Sequence, residues 1–170
     1  MSTQEHKSEA PKAVNCMVIT VSDTRNKETD KSGRLMLEML EGAGHKIVDY
    51  SIVKDESIAI QKEILKGCAS ADIDVILTNG GTGIAKRDVT IETVKGLLEK
   101  EIVGFGELFR MLSYLEDIGS AAILSRAIAG VVKEKAVFST PGSTGAVKLA
   151  MNKLILPEIG HVVREIKKDL

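Results

Sequence analysis

Val75-Ile76-Leu77-Thr78-Asn79-Gly80-Gly81-Thr82-Gly83 begins as a short, wholly apolar run and passes through two polar residues into a glycine-rich loop. An apolar run this short and unbroken reads as a strand covered on both faces. Strands of that kind belong to parallel sheets, and parallel neighbours need crossover connections between them. Upstream, Val14-Asn15-Cys16-Met17-Val18-Ile19-Thr20-Val21 is a second β-branched run, and Lys46 to Val53, with Ile47, Ile52 and Val53, is a third. Between the first two of these lie Leu35, Met36, Met39, Leu40 and Ala43, one face of a helix that starts at Asp30 or Ser32, either able to cap, and stops at Gly42 and Gly44. Ile60, Ile64, Leu65 and Cys68 mark the next helix, with Asp55 where its cap would fall. The fold class is α/β, a mostly parallel central sheet with helices on both faces.

Downstream of the loop, a helix is expected from Thr90 to Leu98, followed by a second whose core face is Phe105, Leu108, Phe109 and Leu112. A shorter helical segment spans Ala121 to Arg126. Val131-Val132 and Ala136-Val137-Phe138 read as two strands about the charged turn Lys133-Glu134-Lys135. Pro141-Gly142 breaks the chain before a helix with the stripe Val147, Ala150, Met151, Leu154 and Ile155, and Pro157 opens a last one. Residues 1–12, rich in Ser, Glu and Lys, lack the apolar content to offset their ordering entropy and are expected to be a disordered tail. Residues 13–170 form the single domain.

The 170 residues carry 23 Lys plus Arg against 24 Asp plus Glu, a net charge of -1 without blocks of either sign, which argues against a nucleic-acid partner. No apolar run is long enough for a bilayer and the start lacks a signal-peptide core, so the expectation is a soluble, cytoplasmic protein with no membrane contact. Cys16 and Cys68 stand apart in apolar surroundings and read as buried thiols. His6, His45 and His161 have no candidate nucleophile beside them.

The glycine loop continues to Asp88, and its three glycines allow amide N–H groups to converge on one concavity at the carboxyl edge of the sheet. Neither a Walker loop nor the dinucleotide fingerprint fits: no Gly-Lys-Ser/Thr follows, and Lys86 occupies the place of the last fingerprint glycine. The loop is therefore either a tight turn or a phosphate site. Asp23, Asp55 and Asp88 follow the ends of three successive strands and would emerge along one edge, where hard Mg²⁺ could be held; each singly could also be a turn or cap residue. A second turn, Ser139 to Gly145, precedes a helix, where Ser143 or Thr144 could cap and free amides could hold another phosphate.

Taken in order, Val21-Ser22-Asp23-Thr24-Arg25, Gly80-Gly81-Thr82-Gly83 with Arg87-Asp88-Val89-Thr90, Gly104-Phe105-Gly106-Glu107, Leu124-Ser125-Arg126 and Pro141-Gly142-Ser143 resemble the molybdenum cofactor biosynthesis proteins of the MoaB and MogA type, from residue 14 to the C-terminus. Phe105 to Ser113 and Pro141 to Thr144 look like the MoaB branch, while Asn79 and Ile91 depart from the adenylyltransferase branch. The resemblance implies a trimer or hexamer that binds the dithiolene pterin phosphate and joins it to AMP from Mg-ATP, releasing pyrophosphate. Carried over residue by residue, Asp55 and Asp88 become the catalytic carboxylates and the Mg²⁺ ligands. Gly80, Gly81, Thr82 and Gly83 lie beside nucleotide or pterin, and Pro141, Gly142 and Ser143 hold the pterin phosphate. Ser22, Asp23, Lys86, Arg87, Glu107, Ser125 and Arg126 complete the substrate contacts, with Lys86 or Arg87 offsetting charge during transfer. The resemblance also implies the molybdenum insertion enzyme of the pathway as a partner. The rival reading is a non-catalytic oligomer that binds molybdopterin.

Overall fold

The computed structural model describes residues 2–170. Six strands make one sheet: β1 (Asn15–Val21), β2 (Lys46–Val53), β3 (Val75–Asn79), β4 (Lys100–Glu101), β5 (Ile128–Val132) and β6 (Lys135–Thr140). Their spatial order is β2-β1-β3-β6-β5-β4, with β1, β2, β3 and β6 parallel and the pairs β5–β6 and β4–β5 antiparallel. The mostly parallel α/β class is thus the one observed.

Alternation along β1 sorts the core onto two faces, because successive side chains point to opposite sides of a strand. Cys16 and Val18 join α2 (Lys31–Gly42), α5 (Val103–Glu116), α6 (Thr144–Ala150) and α7 (Leu156–Lys167) through Met36, Leu40, Phe105, Phe109, Val147 and Ile159. Met17, Ile19 and Val21 join α3 (Ser57–Ala69) and α4 (Thr90–Leu97) through Ile60, Ile64 and Val94. Both cysteines are buried free thiols, and burial pushes the Cys16 thiol up to about 12. Among the described residues no helix is long and apolar enough to cross a membrane.

Several local expectations need correction. Thr3–Ser8 forms a short helix, α1, where the composition suggested a disordered tail. None of its residues is buried; a capping box of Ser2 and Glu5 starts it, and His6, Lys7 and Glu9 pair with Glu165, Glu158 and Arg164 of α7. Charge pairing, which an argument from apolar content does not count, holds it there. Asp30 caps α2, its carboxylate accepting from the Gly33 amide at 3.0 Å. Asp55 caps nothing: α3 starts after Glu56 and has no side-chain cap.

On α5 the buried residues are Phe105, Gly106, Phe109 and Ser113, whereas Leu108 is exposed. Leu108, Met111 and Leu115 make a second stripe, facing solvent; a helix apolar nearly all round gives periodicity no basis for choosing its core side. Lys100–Glu101, too short and charged to read as a strand, pairs with Val131 and Gly130. Lys133 and Glu134 turn the β5–β6 hairpin with φ of 45° and 65°, the left-handed pair a two-residue hairpin demands. The helices flanking Pro157 are continuous through a widened π turn, Met151–Ile155. That turn accommodates the proline, which cannot donate to and crowds the preceding turn.

Candidate functional site

The chain leaves β1 toward β2 on one side and returns to place β3 on the other, so the order of strands reverses between β1 and β3. In open α/β sheets the crevice beyond the carboxyl ends at such a point is where ligands bind. A cavity of about 610 Å³ lies there, against Val21 and Ser22 after β1, Asp55 after β2, Gly80 after β3 and Pro141 after β6.

Glycine is required at the entry to the loop. Gly80 and Gly81 have φ of +95° and +67°, and a Cβ on Gly80 would strike the Val21 carbonyl. A Cβ on Gly81 would lie 2.9 Å from Asp55 Oδ1. Buried Thr90 fixes the turn from below: its amide donates to the Gly81 carbonyl at 3.0 Å and its hydroxyl to the Gly80 carbonyl at 2.9 Å. Among the described residues the amides of Gly81, Thr82 and Gly83 donate to no protein acceptor, and all three residues line the cavity. Unpaired amides facing a concavity are an anion site.

Two carboxylates share the cavity. Asp88 closes a turn, Oδ2 accepting from the Ala85 amide at 3.0 Å while its own amide donates to the Ala85 carbonyl. Burial, then the charge of Asp23, and also that of Asp88, push the Asp55 carboxyl above its ordinary value. Asp23 is held the other way: its bond to Arg87, Nε to Oδ2 at 2.6 Å and Nη2 to Oδ1 at 3.0 Å, keeps it below the usual carboxylate range. Asp23 Oδ1 also accepts from the Asp55 amide at 3.1 Å, which ties the turn after β2 to the loop after β1.

Two arginines brace the glycine turns. Arg126 donates from Nε to the Thr82 carbonyl at 2.9 Å and from Nη2 to that of Gly83 at 2.6 Å, and it pairs with Glu92 on α4. Arg25 donates from Nη2 to the Gly142 carbonyl at 3.0 Å and from Nη1 to Ser32 at 2.5 Å. Behind it, buried Asp30 accepts from Tyr50 at 2.5 Å, and Asn79 bridges Ser32 and Thr20 at 2.9 Å each. Burial raises the Asp30 carboxyl, but hydrogen bonds from Thr20, Tyr50 and the Gly33 amide prevail and hold it below its ordinary value.

Of the residues singled out in the sequence, Ser22, Asp55, Gly80, Gly81, Thr82, Gly83, Asp88, Ser125, Arg126, Pro141 and Gly142 converge on the cavity. Asp23 and Arg87 stand just outside as a pair, and exposed Lys86 and Glu107 do not line it. Ser143 caps α6, accepting from the Ala146 amide at 3.2 Å, and is likewise off the cavity wall. The wall also contains Thr24, Arg25, Ile118, Ala121 and Leu124, which were not selected. Arg25 carried a signal, a basic residue just past the end of a central strand. Leu124 stood in the Leu124-Ser125-Arg126 motif without being chosen, and Ile118 and Ala121 carried no signal, since apolar residues in a helical segment read as core.

Unpaired glycine amides, two carboxylates and a position at the strand-order reversal define a class, α/β proteins whose candidate ligand site lies at the sheet's carboxyl edge. Residues 17–161 match the family model described as "Probable molybdopterin binding domain". The Bacillus subtilis (strain 168) "Molybdenum cofactor biosynthesis protein B" is 68% identical over 169 residues, 99% of either chain. A crystal structure of "Molybdenum cofactor biosynthesis protein B" superposes with TM-score 0.91 at 64% identity, covering 94% of this chain and 99% of that one. The tungsten cofactor synthesizing protein MoaB from Pyrococcus furiosus gives 0.83 at 41% identity, covering 93% and 99%. The chain belongs to the MoaB/MogA family of molybdenum cofactor biosynthesis proteins.

Proposed function

We propose that the chain adenylylates molybdopterin: the pterin's terminal phosphate oxygen attacks the α-phosphorus of ATP, a new P–O bond forms, and the bond to pyrophosphate breaks. The observation that carries this reading is the meeting of Asp55 and Asp88 with the unpaired amides of Gly81, Thr82 and Gly83 in one cavity. Phosphoryl and nucleotidyl transfers need placement and electrostatic support more than a protein nucleophile, and no nucleophile is required here. The amides orient phosphate oxygens, Arg126 keeps the loop that presents them in place, and Arg25 holds the facing turn at Gly142. Ile118, Ala121 and Leu124 offer an apolar wall for a flat ring.

The Mg²⁺ this reading calls for fits the donor set, since the Asp55 carboxylate is disfavoured by burial and by the charges of Asp23 and Asp88, and a divalent cation would relieve both. Asp55 and Asp88 would hold it, and it would supply charge neutralisation on the triphosphate. In this reading the protein works in the cytoplasm, where its nucleotide is, and assembles as a trimer or hexamer. Support for assembly comes from the solvent-facing stripe Leu108, Met111 and Leu115, with Tyr114 also exposed.

The deciding experiment follows adenylylated pterin and pyrophosphate from purified protein, molybdopterin and Mg-ATP, with Asp88→Asn alongside. Asparagine can still accept from the Ala85 amide, so the turn survives while the charge is lost. Product from the parent and at least about a hundredfold less from the variant is expected. Pterin binding by the parent without product would replace this reading with a non-catalytic binding oligomer.

A further inference from the structure

Away from the cavity, His6 of α1 and His161 and Glu165 of α7 bring three potential ligand atoms within 4.8 Å of one another. His161 and Glu165 are four residues apart on one helix, the spacing that puts two side chains on the same face. His6 arrives from the other end of the chain, its Nδ1 3.0 Å from Glu165 Oε1, with the imidazole rings at 89° and 6.1 Å between centroids. Ligand atoms on a tetrahedral ion of this kind sit ~3.3 Å apart, so side-chain rotation alone closes the set.

We propose that His6, His161 and Glu165 form a binding site for a late d-block divalent cation, zinc being the representative, independent of the adenylylation site. Two imidazoles and one carboxylate select such a cation over Mg²⁺. The surroundings are those of a metal-binding histidine. His161 Nδ1 lies 2.9 Å from Glu158 Oε2, which leaves Nε2 to carry the free lone pair, and Glu158 is in turn held by Lys7. The three side chains are only partly covered, at 27%, 22% and 33% exposure for His6, His161 and Glu165. His161 and Glu165 also open onto a groove of about 580 Å³ between α7 and the β4–β5 edge, which gives an ion its path in. Arg164 Nη1 is the cation now in place, 2.8 Å from Glu165 Oε1 and 3.4 Å from His6 Nδ1. A bound ion would displace it toward Glu9, which its Nη2 already meets; Lys168 uses Oε2, the oxygen His6 does not use. An ion here would join the first helix to the last.

Zinc titration of the full chain by calorimetry, with cobalt(II) absorption as a spectroscopic check, tests the site. The parent should bind one equivalent, His6→Ala and His161→Ala should lose it, and Glu158→Gln should weaken it by about 10- to 100-fold. Bound zinc should also slow proteolysis within residues 2–12 of the parent and not of His6→Ala, a readout that does not depend on pterin chemistry. Asp88→Asn should titrate as the parent does. No binding by the parent, parent-like binding by either histidine variant, or loss of zinc in Asp88→Asn would each overturn the proposal without touching the adenylylation reading.

Discussion

Arg126 meets Gly83 through Nη2, 2.6 Å from the carbonyl oxygen, and so turns that peptide's oxygen away from its role as a free acceptor and fixes the plane of the loop. The sequence resemblance made Arg126 a substrate contact; it lines the cavity and also donates to the Thr82 and Gly83 carbonyls and to Glu92. Hydrogen bonds from a charged group contribute about 1.5–3 kcal/mol. Arg126→Ala should therefore weaken molybdopterin binding by about 10- to 100-fold, and Arg126→Lys, lacking the planar fork, should recover only part. Calorimetric titration checks this, and parent-like affinity in the alanine variant would refute it.

Asp30 caps α2, accepts from Tyr50, and reaches the site through Arg25, whose Nη1 lies 3.5 Å from its Oδ1. Its carboxyl is held below the ordinary value of about 3.9 in the folded chain, so the unfolded state takes up the proton first as pH falls. Its stabilisation is thus complete above that ordinary value and is lost as pH drops through the lower, folded one. Asp30→Ala should cost about 1–3 kcal/mol at neutral pH by leaving the Gly33 amide and the Tyr50 hydroxyl without their acceptor, and the gap to the parent should narrow in acid. Urea unfolding at several pH values would show both effects; a gap that widens in acid is the contrary result.

Gly80 and Gly96 should respond oppositely to a methyl group. At Gly80 the left-handed backbone and the Val21 carbonyl both resist a Cβ, and Gly80→Ala should lose about 2–3 kcal/mol. Gly96, near the end of α4, has open space within 4 Å of where a methyl would stand, so Gly96→Ala should gain up to about 1 kcal/mol. Thermal melts of the two variants settle the sign in each case.

Leu115 is 66% exposed at the end of the solvent-facing stripe of α5. If that stripe is the contact between copies, Leu115→Lys should yield monomers with an unchanged circular-dichroism spectrum. Light scattering that finds the same assembly in parent and variant would move the interface elsewhere.

What was legible in the sequence was whatever burial on two faces imposes: the apolar runs of β1 and β3, the stripe Ile60, Ile64 and Cys68 at spacing four, and the glycines after β3. The carboxyl-edge clustering of Asp55 and Asp88 followed from parallel strands alone. Less legible were contacts made by long polar side chains across the sheet edge. Arg25 reaching Gly142 and Arg87 reaching Asp23 depend on loop shapes that periodicity does not encode. Glu107 shows the converse, a residue selected by motif that α5 carries to an exposed position off the cavity wall.

The reversed direction of β5 has a practical consequence. Ile128 pairs with Ser139 and Val132 with Lys135, so the start of β5 lies at the same edge as the end of β6, and Arg126 is delivered to the cavity only because this strand runs backwards. The hairpin tip at Lys133 and Glu134 is left at the opposite rim, remote from the glycine-loop cavity. A fluorophore or a fused peptide inserted there would ride on the sheet as a reporter, leaving entry to the glycine-loop cavity unobstructed.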